Sequence, residues 1–307
     1  MAGVTLFEVG PRDGLQNESV LLSSEDKVFL VEQLMDAGLT RIEVSSFVSP
    51  RWIPQLADAE EVFRQVQRRP GVELSALVPN EKGLERALAC QVDAVAVFMS
   101  ASETHNLKNI NKTRVDTYPV LAPVVTAAKA AKKSVRGYVS TAFGCPYEGE
   151  VAITEVIEVS MRLFEMGIDE LSIGDTIGVA VPTQVEALLA EMEKQGIPLE
   201  RIALHFHDTR GTAVANAYAG YQAGVRIFDG SIGGMGGCPY APGASGNVST
   251  EDLRYLFESM GVTTNTHLDK LRDAARWLSQ RLQKTLFSHD SQVAHAMTWA
   301  EGESEPQ

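Results

Sequence analysis

Two hydrophobic rhythms alternate along the chain. Short apolar runs, several with every second residue polar, are separated by longer stretches in which apolar residues return every three or four positions. The first rhythm predicts strands over 5–9, 41–45, 73–78, 94–99, 135–140, 170–174, 202–207 and 227–232. The second predicts helices over 25–37, 57–67, 81–89, 115–132, 154–166, 182–194 and 212–223. Several of these helices run into a glycine (Gly38, Gly167, Gly196, Gly224), where a left-handed cap costs little, and Pro182 suits a first helical turn.

Eight strand-then-helix units in about 260 residues match the size and alternation of a (β/α)8 TIM barrel, an α/β fold. An open doubly wound sheet is the alternative. Two features favour the barrel: polar residues such as Glu8, Glu43 and His205 sit within the strands, as the polar end of a closed barrel requires, and no glycine-rich dinucleotide loop follows the first strand. Beyond Thr250 only helical patterns remain, over 251–260, 268–286 and 292–299. The expected organisation is a catalytic barrel over 1–261, a C-terminal helical extension packed on it over 262–300, and a disordered tail over 301–307.

Composition narrows the function classes. The apolar fraction of 44% and charged fraction of 22% are those of a folded globular chain. A net charge of −13 argues against nucleic acid as the main partner, so an anionic ligand would need a local cationic cluster. Cys90, Cys145 and Cys238 are too few for a disulfide framework and fit a reducing compartment. No secretory segment is expected ahead of the first strand, and no apolar run approaches the roughly 20 residues that span a bilayer. A cytoplasmic location, no membrane contact and a homodimer are the expectations.

The chemistry concentrates in Leu204-His205-Phe206-His207-Asp208. Alternation along a strand points His205 and His207 the same way, and two imidazoles on one face can hold a divalent cation from one side. Alone, such a pair can equally be two hydrogen-bonded histidines. In a barrel, however, the C-terminal strand ends share one mouth. Arg12 and Asp13 follow the first strand, Glu43 closes the second, Asp175 follows the sixth and Asn247 lies beyond the eighth. An aspartate, two imidazoles and an amide oxygen suit Mg²⁺ or Mn²⁺, with Co²⁺ or Zn²⁺ possible. Two cysteines have near-identical settings, Gly144-Cys145-Pro146-Tyr147 and Gly237-Cys238-Pro239-Tyr240. The glycines at 233, 234, 236 and 237 mark the second as a segment able to close over a mouth. Cys145 reads as a tighter turn, and Cys90 as a small buried hydrophobe.

These residues resemble a family. Phe7-Glu8-Val9-Gly10-Pro11-Arg12-Asp13-Gly14-Leu15-Gln16-Asn17-Glu18 is similar to the opening of 3-hydroxy-3-methylglutaryl-CoA (HMG-CoA) lyases. The likeness continues through Ser46-Phe47-Val48-Ser49-Pro50, Lys108-Asn109-Ile110-Asn111, Gly144-Cys145-Pro146-Tyr147, Gly174-Asp175-Thr176, His205-Phe206-His207-Asp208 and Gly236-Gly237-Cys238, over about residues 4–285. The resemblance implies cleavage of HMG-CoA to acetyl-CoA and acetoacetate, with an acyl-CoA thioester as the only substrate partner and no organic cofactor. It implies metal ligation by Asp13, His205, His207 and Asn247. Arg12 would bind the thioester carbonyl and stabilise the enolate, Cys238 would be a mobile catalytic cysteine, and Glu43, Asp175 and His205 would act in catalysis. The chain departs from the family pattern at Arg210, where a tyrosine is common, and at Thr141-Ala142-Phe143, where a second cysteine is common. Lyases for longer-branched hydroxyglutaryl-CoA or citramalyl-CoA, and a condensing synthase of the same superfamily, are the alternatives. The synthases carry a long regulatory domain after the barrel, and a biotin-dependent carboxyltransferase would want a lysine where strand six offers Gly174-Asp175.

Overall fold

A computed structural model of the chain describes residues 3–236, 246–286 and 288–293. Eight parallel strands close into one barrel in chain order: β1 (Thr5–Glu8), β2 (Arg41–Ser46), β3 (Glu73–Leu77), β4 (Ala94–Ser100), β5 (Ser134–Ser140), β6 (Glu170–Asp175), β7 (Ile202–Phe206) and β8 (Ile227–Gly230). The last pairs with the first, Thr5 against Ile227 and Glu8 against Gly230, which excludes the open sheet. Outside lie α1 (Ser24–Asp36), α2 (Ala59–Gln65), α3 (Glu81–Ala89), α4 (Glu103–Ile110), α5 (Arg114–Ala130), α6 (Ile153–Glu165), α7 (Pro182–Lys194), α8 (Ala213–Ala223), α9 (Thr250–Ser259) and α10 (Leu268–Leu282).

The helices form where the 3.6-residue pattern lies, and local chemistry sets their ends. Ser23, Asn80, Thr113 and Ser249 each cap a helix by accepting a backbone N–H. Helix α4 was not foreseen from the apolar pattern. Its sequence, Glu-Thr-His-Asn-Leu-Lys-Asn-Ile, carries too few apolar positions, and the Ser102 cap that starts it is its clearest local signal. Helix α10 stops at Leu282, short of the expected 286, because Gln283 turns left-handed with φ 53°. It lies along α1, with Trp277 4.8 Å from Phe29 between ring centroids.

Strand alternation divides the interior into two environments. Leu6, Ile42, Val44, Leu74, Val95, Val97, Val135, Val139, Leu171, Ile173, Leu204 and Phe206 point outward into the main apolar core under the helices. Their neighbours point into the lumen, which is largely ionic: Arg41, Glu43, Arg136, Tyr138, Glu170, Ser172, His205 and Asp229. Phe7 shares that space, with the Arg136 guanidinium carbon 3.9 Å from its ring centre. Glu8 is therefore on the opposite side of β1. Instead of adding to the polar mouth it fastens β1 to the segment after β8, accepting from the N–H groups of Gly10 and Ile232 and from the Thr250 hydroxyl. Strand β8 ends at Gly230, short of the expected 232, and the chain turns through Ile232–Gly234 where Glu8 holds it.

Candidate active site

Arg12 is buried in a π-helical turn, Gly10–Gly14, that leaves the C-terminal end of β1. Its Nε donates to Glu43 Oε2 at 2.5 Å and its Nη1 to Asp13 Oδ1 at 2.6 Å, while its guanidinium lies 5.5 Å from the Tyr138 ring centre. Burial works against the Arg12 charge, but Glu43 and then Asp13 more than offset it, so its pKa rises and the cation is permanent. Glu43 is fully buried behind it. Burial raises the Glu43 pKa and Arg12 restrains the rise.

Asp13, His205 and His207 present ligand atoms within 4.8 Å of one another. Asn247 joins them through an antiparallel bridge with His207 and through its Nδ2, which donates to Asp13 Oδ2 at 2.9 Å. Burial raises the Asp13 pKa, and Arg12, the two histidines and Asn247 bring it down to about 2. Burial first, and then the neighbouring His205, lower His207 to about 4, so its imidazole is neutral with a free lone pair. Two buried atoms here, the Asn247 Oδ1 acceptor and His207 Nδ1, have no hydrogen-bond partner among the described residues. Unsatisfied acceptors are expensive in a buried site, and a bound cation supplies what they lack. The residues therefore fit a divalent metal.

His205 Nδ1 lies 3.2 Å from Asp229 Oδ2, so only its Nε2 is left for the cavity, 3.9 Å from Asp13 Oδ2. Ligation and proton acceptance, both expected of His205, compete for that one nitrogen.

Asp175 is placed differently from the expectation. It has the outward parity of Ile173, and its oxygens accept the N–H groups of Val179 and Ala180 at 3.0 and 2.9 Å. It shapes the loop after β6 and does not line the cavity. Arg210 clamps the same loop by donating to the carbonyls of Ile177 and Gly178. Cys145 is buried, and its Sγ accepts from Ser102 Oγ at 3.0 Å inside the turn closed by Cys145 and Gly149. Cys90 is buried in the apolar core. Cys238, expected to be catalytic, lies outside the described residues.

Sequence reasoning passed over Tyr138, Arg136 and Asp229. Their signal was present: a charge or hydroxyl at alternate positions of otherwise apolar strands, as in Ser-Val-Arg-Gly-Tyr-Val-Ser. The cavity above the cluster holds about 640 Å³. Its lining joins Arg12, Asp13, His205, His207 and Tyr138 to apolar side chains such as Val48, Trp52, Ile53, Phe98, Ile110 and Leu121, with further polar residues among them. That volume and mixed lining suit a small acyl group held by its polar end.

A closed parallel barrel whose mouth joins a cation-ready histidine and carboxylate set to a fixed guanidinium defines an enzyme class built for chemistry beside a carbonyl. The HMGL-like family profile matches residues 3–278. The hydroxymethylglutaryl-CoA lyase YngG of Bacillus subtilis is 53% identical over 290 residues, 94% of this chain and 97% of that protein. A crystal structure of the Bacillus subtilis HMG-CoA lyase superposes with a TM-score of 0.94 at 52% identity, covering 96% of this chain and 100% of the other. An HMG-CoA lyase from Acinetobacter baumannii, in complex with coenzyme A and 3-methylmalate, aligns with a TM-score of 0.89 at 39% identity, over 93% of each chain. The chain belongs to the HMG-CoA lyase family.

Proposed function

We propose that this protein cleaves HMG-CoA to acetyl-CoA and acetoacetate, using a divalent cation, Mg²⁺ or Mn²⁺, held by Asp13, His205, His207 and Asn247. The observation that carries the reading is the juxtaposition of the buried Arg12 guanidinium with this cluster on one cavity wall. A bound cation would acidify the tertiary hydroxyl and orient it with its neighbouring carboxylate.

The reaction breaks the bond between the carbinol carbon and the thioester α-carbon. The hydroxyl proton passes to the Asp13 carboxylate, which can ligate through one oxygen and accept through the other, whereas His205 Nε2 is taken up as a ligand. The C–O bond becomes the ketone of acetoacetate, and the electron pair of the broken C–C bond moves into the thioester as an enolate. Arg12 meets the charge that develops on the enolate oxygen. Glu43 and Asp13 fix its orientation in advance, so little reorganisation is needed as the bond breaks. Cys238 then delivers a proton to the enolate carbon, which completes acetyl-CoA. The apolar lining residues of the cavity take the thioester arm.

A coupled assay of purified protein against HMG-CoA, longer-branched hydroxyglutaryl-CoA esters and citramalyl-CoA tests the assignment. Preference for HMG-CoA by kcat/KM is the expected result; preference for another thioester would reassign the substrate.

A further inference from the structure

The two histidines of the cluster are held in unlike ways. His207 Nδ1 is buried without a partner among the described residues, whereas His205 Nδ1 faces Asp229 Oδ2 at 3.2 Å. Asp229 is itself fixed from two sides. Its Oδ1 accepts from Arg136 Nη2 at 2.5 Å, and its Oδ2 accepts from the Ser172 hydroxyl at 3.0 Å. Arg136, Ser172, His205 and Asp229 come from four consecutive strands, β5 to β8, and all are buried on the lumen face. The ionic column continues below them: Arg136 lies 3.4 Å from Glu170, and Glu170 pairs with Arg41 at 2.7 Å.

Packing does not explain this column. Buried ion pairs recover their desolvation cost poorly, and apolar side chains fill most barrel lumens. The polarity of the contacts at Asp229 is informative. Paired with Arg136, the carboxylate is ionised and can only accept hydrogen bonds, so the nitrogen facing it must carry a proton. A neutral imidazole then has its lone pair on the other nitrogen. That nitrogen, Nε2, is 3.9 Å from Asp13 Oδ2, too far for a hydrogen bond.

We propose that Asp229 is a positioning residue for His205. It accepts the Nδ1 proton, fixes the tautomer whose Nε2 carries the lone pair, and aims that nitrogen at the Asp13 and His207 cluster, while Arg136 holds the carboxylate still. The inference rests on the reading of this cluster as a cation site. A carboxylate behind a ligating histidine typically makes the histidine a better ligand and is worth about 10- to 100-fold in metal affinity.

The test uses the full chain labelled with ¹⁵N-histidine and freed of metal. Long-range ¹H–¹⁵N spectra at neutral pH report which nitrogen of each imidazole is protonated, and His205→Gln assigns the His205 signals by their loss. The expected wild-type result is a His205 whose Nδ1 carries a proton. In Asp229→Asn the single amide oxygen is claimed by Arg136, the NH₂ turns toward His205, and the proton should move to Nε2. Mn²⁺ titration followed by electron paramagnetic resonance should show affinity falling about 10- to 100-fold in that variant. A wild-type His205 whose Nδ1 carries no proton overturns the proposal, and so does an Asp229→Asn protein with unchanged tautomer and Mn²⁺ affinity. If Asp229→Asn does not fold, the wild-type tautomer alone decides. Wild-type protein that takes up no Mn²⁺ would instead overturn the cation reading, and the spectra would still show whether Asp229 orients His205.

Discussion

Replacing Arg12 with glutamine should damage turnover and stability by different amounts, and the two can be separated. For turnover, the guanidinium is a fixed donor aimed at charge that exists only as the bond breaks. Removing one such donor costs about 10²- to 10³-fold in kcat, roughly 3–4 kcal/mol, with little change in KM. Arg12→Lys should not restore the rate. A single ammonium cannot hold Glu43 and Asp13 together at 2.5 and 2.6 Å as the guanidinium fork does. For stability, the substitution strips Glu43 of its counter-ion. That carboxyl is fully buried, and its Oε1 already lacks a partner among the described residues. Breaking a buried pair this way costs about 3–5 kcal/mol while the remaining charge persists. Glu43 can escape the cost by binding a proton. Burial already raises its folded pKa above the unfolded value, so its ionisation opposes folding increasingly as pH rises. Without Arg12 the folded pKa rises further. The stability deficit of Arg12→Gln should therefore be small near about pH 5 and grow toward about pH 8, and adding Glu43→Gln should flatten it. Steady-state cleavage of HMG-CoA gives kcat and KM, and urea unfolding at the two pH values gives the deficit. An Arg12→Gln enzyme with intact kcat and only a raised KM would refute the enolate role. A deficit independent of pH would refute the Glu43 account.

Three further outcomes are expected. His207→Ala should retain the fold but lose most Mn²⁺ affinity and turnover, as should chelated wild type until metal is returned; full activity from metal-free protein would exclude the cation. Cys238→Ser should keep metal and lose most turnover, because a hydroxyl is a far weaker acid than a thiol, whereas Cys145→Ser should stay substantially active with its cost read as a lower melting temperature. A dead Cys145→Ser beside an active Cys238→Ser would reverse the assignment. Burial raises Glu8 to about 7, so relative to Glu8→Gln the wild type should lose roughly 3 kcal/mol of stability as pH rises from the unfolded carboxyl pKa through about 7; a pH-independent difference in urea unfolding would show that Glu8 does not carry that charge penalty.

The sequence by itself determined the barrel and most of its cluster, because both rest on short-range periodicity. Short apolar runs set between helical patterns, several of them ending at a glycine, marked all eight strands, and alternation alone aligned His205 with His207. The loops after β1 and β8 bring Arg12, Asp13 and Asn247 to the same mouth because in a closed barrel every strand ends there. Parity is where local reading failed. Glu8 and Asp175 looked like mouth residues, yet each lies on the outward face of its strand, where it binds backbone N–H groups and shapes the next segment. Which face is inward depends on what the sheet closes around, and only closure decides that. Closure also brought Arg136, Ser172 and Asp229 beside His205, from strands up to 93 residues apart in the chain. Each alone is an odd polar residue in an apolar run, and its meaning comes from charges that meet only across the lumen, because an ion pair is set by distance in space and leaves no period in the sequence.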